Sequence, residues 1–295
     1  MRIGVDIGGT KIEAVAIDDA LSILATFRAP VQGGPRGVAE GAIEAVEKVW
    51  RRAEGTPTSI GVGVPGTIRS GVVHNARNLS VHSLDLETAI ADATGLPVRV
   101  CNDVNAAALG AWIATGATSP SFAYLNLGTG LAAGFVLGGQ LLEGSRGGAG
   151  EIGYISVDPN GPPDSDGLRG TLETYASGSG VVSQWGVEGA TAIDVFLAAD
   201  RGDGRAETIR TGFYFGAAHA VRVVALAYGA DTVVIGGGLT TQADALRSGM
   251  RAHFEAWSQV SPLIASLDLD GMTQLLVDER PVQALGAAIV GGFDG

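Results

Sequence analysis

The sequence has little cysteine, little positive charge and no long apolar run. One cysteine, Cys101, excludes an intrachain disulfide and any multi-cysteine zinc site, and it reads as a small buried hydrophobe. No uninterrupted apolar stretch reaches the roughly 18 residues of a membrane span. Residues 1–6 lack the pattern of a secretory leader, so the expected location is cytoplasmic. Lys and Arg number 19 against 31 Asp and Glu, a formal charge of −12. An acidic chain without a basic stripe is a poor partner for nucleic acid or for an anionic membrane, and neither is expected. Local anion sites built from backbone N–H groups stay open.

What is abundant is glycine, with 46 residues, and apolar side chains at 46% with a mean hydropathy of +0.26. The apolar content rules out disorder. The glycines have no collagen period and mostly flank apolar runs, so they mark tight turns and close backbone approaches. A length of 295 residues suggests two domains or one large one.

Strands are expected at 2–7, 12–17, 21–27, 59–64 and 98–101, with helices at 36–53, 84–94 and 104–112. Alternation of strand and helix indicates an α/β architecture with much parallel pairing. A second unit opens near residue 119 with strands at 121–127 and 132–137 around a Gly turn. With an offset of 120, Val5-Asp6-Ile7-Gly8 meets Leu125-Asn126-Leu127-Gly128. The chain thus uses strand, Gly turn and strand twice. A long helix at 204–229, a strand at 232–235, a helix to about 257 and a last helix from Pro281 to Val290 follow. Residues 158–170 form the one long turn-rich loop. The expected division is 1–113, completed by the C-terminal helix 281–295, and 114–280.

Three Gly turns and a set of scattered carboxylates and amides carry the candidate chemistry. In Asp6-Ile7-Gly8-Gly9-Thr10-Lys11 the glycines let backbone N–H groups approach phosphate oxygens, Thr10 and Lys11 add donors, and Asp6 could hold Mg²⁺ directly or through water. Gly128-Thr129-Gly130 offers a second cradle. Gly236-Gly237-Gly238 would let a flat ring lie on the backbone, or would simply start a helix. Asn102-Asp103 ends a buried strand, where either residue could cap the next helix and where a carboxylate in an open α/β sheet often serves as a base. Asn78, Asn102, Asp103, Glu151 and Glu173 are planar groups suited to sugar hydroxyls, or else solvated surface side chains.

The order of these motifs resembles the ROK family of sugar kinases in the actin-like ATPase superfamily. The resemblance rests on DIGGTK at 6–11, GVPG at 63–66, Asn78-Leu79, Asn102-Asp103 with Asn105-Ala106, LGTG at 127–130, GGAGEIG at 147–153, LETYASG at 172–178 and VIGGG at 234–238. It implies a two-domain actin-like (ribonuclease H-like) α/β fold with the active site in the interdomain cleft. It implies ATP and Mg²⁺ as donor and cofactor, a small-molecule sugar as acceptor and a homodimer. Asp103 would be the general base. Asp6, Gly8, Gly9, Thr10, Lys11, Gly128, Thr129, Gly130 and Gly236 to Gly238 would serve the nucleotide and its metal. Gly66, Asn78, Asn102, Asp103, Glu151, Tyr154 and Glu173 would meet the sugar.

The sequence departs from the family at its structural zinc. Family members place His after GEIG and then a CxCGxxGC loop. The matching positions here are Tyr154, Asp164, Asp166 and Thr171, so no zinc site is expected. The expected activity is ATP-dependent phosphorylation of a hexose hydroxyl, in the manner of a glucokinase. Polyphosphate as donor is one alternative, disfavoured by the charge of −12. A non-enzymatic sugar sensor is another, disfavoured by the presence of Asp103 and of the Gly turns.

Overall fold

The computed structural model describes residues 1–276 and 280–292. Strands run in chain order as β1 (Arg2–Ile7), β2 (Lys11–Ile17), β3 (Ile23–Pro30), β4 (Ser59–Val64), β5 (Thr67–Arg69), β6 (Val72–Ala76), β7 (Val81–Asp85) and β8 (Val98–Asn102). They continue as β9 (Ser121–Leu127), β10 (Leu131–Leu137), β11 (Gln140–Leu141), β12 (Thr232–Gly236) and β13 (Thr273–Leu275). The α-helices are α1 (Pro35–Ala53), α2 (Leu86–Thr94), α3 (Asp103–Ala114), α4 (Leu172–Ala176), α5 (Gly178–Trp185) and α6 (Ala192–Asp200). The remainder are α7 (Gly204–Tyr228), α8 (Ala243–Val260), α9 (Pro262–Leu267), α10 (Leu269–Met272) and α11 (Val282–Val290). No helix among the described residues is long and apolar enough to cross a membrane.

The chain divides into two compact units, 1–117 with 134–149 and 279–295, and 118–133 with 150–278. Residues 277–279, beside the expected boundary at 280, lie outside the described residues, as do the last three of the expected 281–295 segment.

The first unit is built on a sheet ordered β3-β2-β1-β4-β8. β1 pairs antiparallel with β2 and parallel with β4, which pairs parallel with β8. All six residues of β4 are buried, as a central parallel strand covered on both faces requires. α1 starts with Pro at its first turn and buries Val38, Ala42, Ala45, Val46 and Val49, the face its spacing predicted. The second sheet is ordered β11-β10-β9-β12-β13, with β9 and β13 both parallel to β12. The two sheets share one plan: an antiparallel hairpin, then two parallel additions. The short internal match between the strands at 5 and 125 is the trace of it.

Five strands escape the sequence pattern, two of them the short β11 and β13. β5, β6 and β7 form a small antiparallel sheet at 67–85. Their exposed faces carry polar residues, so no alternation of large apolar side chains marks them. The expected helix 84–94 accordingly starts at Leu86, because Asp85 ends β7 and then caps α2 by accepting the Thr88 N–H (3.1 Å). The helix stops at Gly95, φ 70°, as expected. Helices α4, α5 and α6 were also unmarked; each is short, five to nine residues.

α11 packs on α3 and across β1 and β4. The contact is backbone on backbone. A Cβ on Gly286 would collide with the Ala106 carbonyl, and one on Gly110 with the Val282 carbonyl. Residues Val104 to Ala111 of α3 are consequently all buried. Gly286→Ala should force the helices apart and cost on the order of 3 kcal/mol, the upper range for overpacking. Denaturant unfolding checks this, and an unchanged midpoint would show that the crossing yields freely.

Candidate active site

In the first unit β8 ends at Asn102 and α3 begins at Asp103. Asn102 caps the helix: its Oδ1 accepts the Val104 and Asn105 N–H groups at 2.9 and 3.3 Å. Its Nδ2 donates to the Gly66 carbonyl (3.2 Å), so two motifs far apart in sequence meet here. Gly66 has φ +107° and its missing Cβ would press on the His74 carbonyl, so only glycine fits. The capping reading of Asn102 and its placement beside Gly66 hold together.

Asp103 follows, its Oδ1 accepting the Val104 N–H at 3.0 Å. Burial pushes its carboxyl up to about 6, against the Val104 N–H, which lowers it. Asp6, at the end of β1, is raised to about 8, first by burial and then by repulsion from Asp103, with Lys11 pulling the other way. Both residues keep part of their surface exposed. Lys11 itself pairs with Glu13 (2.9 Å), which also holds Arg28 (2.6 Å). Partial burial raises the Glu13 carboxyl, but its hydrogen bonds to Lys11 and Arg28 outweigh that and lower it.

The turn at 8–10 projects Gly9 and Thr10 into solvent, closed by the Gly8 N–H on the Lys11 carbonyl (2.8 Å). Asn78, exposed on the turn after β6, stands with its Cβ 3.4 Å from where a Cβ on Gly9 would be. The first unit therefore gathers Asp6, Gly8 to Lys11, Gly66, Asn78, Asn102 and Asp103.

The second unit gathers the remaining candidates. In the turn after β9, the Gly128 N–H donates to the Gly130 carbonyl (3.1 Å). The Gly128 and Thr129 carbonyls accept N–H groups from Gly178 (2.8 Å) and Ser179 (3.0 Å), and the Ser179 hydroxyl also donates to Thr129 (2.7 Å). Thr129 is left exposed at the tip. Glu173 reaches this turn: its Oε2 accepts the Leu131 N–H (2.9 Å) and lies 2.7 Å from where a Cβ on Gly130 would stand. Gly153 packs on Glu173 from the other side. Glu151 and Tyr154 flank a single 3₁₀ turn at Ile152–Tyr154 and are both exposed, Tyr154 by 53%. Gly237, φ +98°, sits against the Leu127 carbonyl and Asn126, so the third Gly turn adjoins the second. Gly238 opens a 3₁₀ turn and meets nothing at its Cβ position.

Asn126 and Ser179 are the residues that sequence reasoning passed over. Asn126 lies against both Gly128 and Gly237. Its signal was present in the internal match, where it occupies the strand position of Asp6. Ser179 follows LETYASG directly and had no signal of its own.

The loop 158–170 is held by its own polar groups. Asp164 Oδ1 accepts the Asp166 and Leu168 N–H groups at 3.0 and 2.8 Å, and its Oδ2 accepts the Thr171 hydroxyl at 3.4 Å. Asp158 accepts the Tyr175 hydroxyl (2.8 Å), and Arg169 donates to the Gly161 carbonyl (2.8 Å). Thr171, fully buried, caps α4, the helix that carries Glu173. Three of the four positions that match zinc ligands in the resembling family thus bond to one another.

The model of the ROK family matches residues 2–284 of the chain. The chain belongs to the ROK family. A glucokinase of Halalkalibacterium halodurans is 33% identical over 285 residues, 87% of this chain and 86% of that protein. An N-acetylmannosamine kinase of Citrobacter koseri is 32% identical over 212 residues, 69% and 71% of the two chains. Among solved structures, the ROK family glucokinase from Streptomyces griseus in complex with glucose and AMPPNP superposes with a TM-score of 0.77 at 26% identity, covering 98% of each chain. This ROK protein accordingly has the α/β actin-like ATPase fold.

The raised carboxyl and the hydrogen-bonded loop can each be tested. A carboxyl whose folded pKa is raised destabilises the fold progressively as pH climbs from its unfolded value toward the folded one. For Asp103 that window runs from 3.8 to about 6, and the cost persists above it. Asp103→Asn keeps the shape and removes a charge cost on the order of 3 kcal/mol. Its melting temperature should exceed that of the parent at pH 8 and match it near pH 4; a lower value at pH 8 would refute the burial argument. In the loop, protein purified without chelator should hold no stoichiometric zinc by elemental analysis. Asp164→Ala should speed amide exchange across 158–170, since it removes the acceptor of the Asp166 and Leu168 N–H groups. Near-stoichiometric zinc, or unchanged exchange, counts against the hydrogen-bonded loop.

Proposed function

We propose that this ROK protein is a sugar kinase that moves the γ-phosphoryl group of ATP to a hydroxyl of a neutral hexose, with Asp103 as general base. The observation that carries the reading is the placement of the Asp103 carboxyl at the first residue of α3, next to the cap Asn102 that binds Gly66 and close enough to Asp6 to repel it, with burial pushing Asp103 up to about 6. Above pH 6 Asp103 is ionised and able to accept a proton, which is the condition a base at neutral pH must meet.

In the reaction the sugar O–H bond breaks and its proton passes to an Asp103 oxygen. The sugar oxygen bonds to the γ-phosphorus, and the bond from that phosphorus to the ADP oxygen breaks with its electron pair. Gly66, Asn78 and Asn102 orient the sugar from the first unit; Glu151, Tyr154 and Glu173 do so from the second. The N–H groups of residues 9–10 and 129–130 hold phosphate oxygens, those of Gly8 and Gly128 being used to close the turns, and Gly236 to Gly238 border the base of the nucleotide. The donor set at Asp6 and Asp103 suits a hard cation, because two mutually repelling carboxyl groups are stabilised by one. Asp6 would hold that Mg²⁺, which neutralises phosphate charge when bound.

A neutral hexose is favoured because none of the sugar-facing candidates is Lys or Arg. Glucose or mannose comes first, with an N-acetylated hexosamine second; the names of the two relatives support both. ADP release over a panel of neutral hexoses, N-acetylhexosamines, pentoses and polyols, with ATP or polyphosphate as donor, tests the reading. Activity on a hexose with ATP is the expected result, and its kcat/KM should fall as pH drops below about 6. Asp103→Asn should lose about 10²- to 10⁴-fold in kcat with hexose binding retained. A variant keeping more than about a tenth of the parent rate would remove Asp103 as the base. A chain that binds hexose without any turnover would be a sensor.

A further inference from the structure

Beside β8 lies a cavity of about 740 Å³ that shares only Asn102 with the residues assigned above. It belongs wholly to the first unit. Its walls are residues 97–100 of β8 and the turn before it, the β5–β6 hairpin at 68–71 and the loop at 143–147, with Glu87 of α2 and Asn105 of α3. Asp6 and Asp103 do not line it. The volume falls within the range of small-molecule sites, about 300–1,000 Å³.

Its charge runs against that of the chain. Arg69, Arg99 and Arg146 face it together with two carboxylates, Glu87 and Glu143, in a protein of net −12. Glu87 is partly spent on the Val100 N–H (3.3 Å), and Arg99 is paired with Glu143 only loosely, at 3.7 Å. Arg69 and Arg146 have no ion pair or hydrogen bond among the described residues. Asn105 is the second, independent observation. It is 5% exposed, its backbone N–H bonds to Asn102, and its side-chain amide has no hydrogen-bond partner among the described residues while lining the cavity. An amide on a buried residue that opens on the pocket offers a ligand or water both a donor and an acceptor there.

We propose that this cavity binds a small phosphate-bearing sugar. Free guanidinium groups present the planar fork that takes phosphate in two parallel hydrogen bonds, and Lys would not do so. The Asn105 amide and the Glu143 carboxylate, which line the same cavity, read hydroxyls. The choice of a hexose phosphate, the product class, rests on the kinase reading; the charge and the open amide do not. Such a ligand touches Asn102, the cap of the helix that begins with Asp103. Occupancy therefore bears on the candidate base without occupying the hexose position.

Calorimetric titration of the full chain without nucleotide tests this, using glucose 6-phosphate, inorganic phosphate and glucose as probes. Glucose 6-phosphate should bind even with glucose saturating, and more tightly than inorganic phosphate. The double variant Arg69→Ala/Arg146→Ala, changed only at exposed side chains, should weaken glucose 6-phosphate about tenfold or more and leave glucose affinity unchanged. Absence of binding, full competition with glucose, indifference to the two arginines, or equal affinity for inorganic phosphate would each overturn the proposal. Failure of the kinase reading looks different: no ADP release on any sugar, with arginine-dependent binding intact.

Discussion

The structure of the first unit depends on one backbone contact, the crossing of α3 and α11 at Gly110 and Gly286. Each glycine lies where a Cβ would meet a carbonyl of the other helix. The contact lets α11 pack on α3 and across β1 and β4 at once, and Gly61 and Gly4 meet α11 in the same way from the sheet. α3 is then fixed along its length, and so is its first residue. The base proposed at Asp103 would have to be held within a fraction of an ångström to act on one hydroxyl. What fixes that residue is the packing of small residues deep in the core. It also explains why a helix so rich in alanine is buried on every side.

Placing Asp103 at the start of α3 sets up the second constraint, which is charge. The helix N-terminus favours an anion, but desolvation opposes it and leaves Asp103 raised, while Asp6 is raised by desolvation and then by Asp103. Lys11 could neutralise Asp6 more fully if it were free. Glu13 holds it instead, and Arg28 in turn holds Glu13. The result is a pair of carboxyls short of one positive charge. That deficit is a stability cost, and it is the charge that the proposed Mg²⁺ would supply.

Much of this was legible in the residues. The Gly turns, the strand before Asn102 and the helix after it, α1 with its buried stripe and the long α7 all followed from spacing, because each has a period or a punctuating Gly or Pro. The β5–β7 sheet did not, since its strands are three to five residues long and bury few side chains. Nor did the order within loop 158–170. Proline and glycine there announced turns, but the bonds that hold it converge on one carboxylate, Asp164, and convergence in space has no sequence period. Which candidates would meet was legible only in part. Gly66 and Asn102, or Glu173 and the turn at 130, are joined by hydrogen bonds between segments 36 and 42 residues apart.

The doubled sheet plan also shows how one design can take two charges. Asp6 and Asn126 stand at the same point of β1 and β9, each just before a Gly turn. The carboxylate sits beside Asp103 and can serve a cation. At 126 the side chain touches the Gly128 and Gly237 turns, which are proposed to hold phosphates and to border the nucleotide. A carboxylate there would set a negative charge against those phosphates, whereas an amide offers a donor and no charge. The one-atom difference between Asp and Asn at matched positions thus suits the two units to the different roles proposed for them, charge beside the proposed base in the first and neutral hydrogen bonding beside the proposed nucleotide turns in the second.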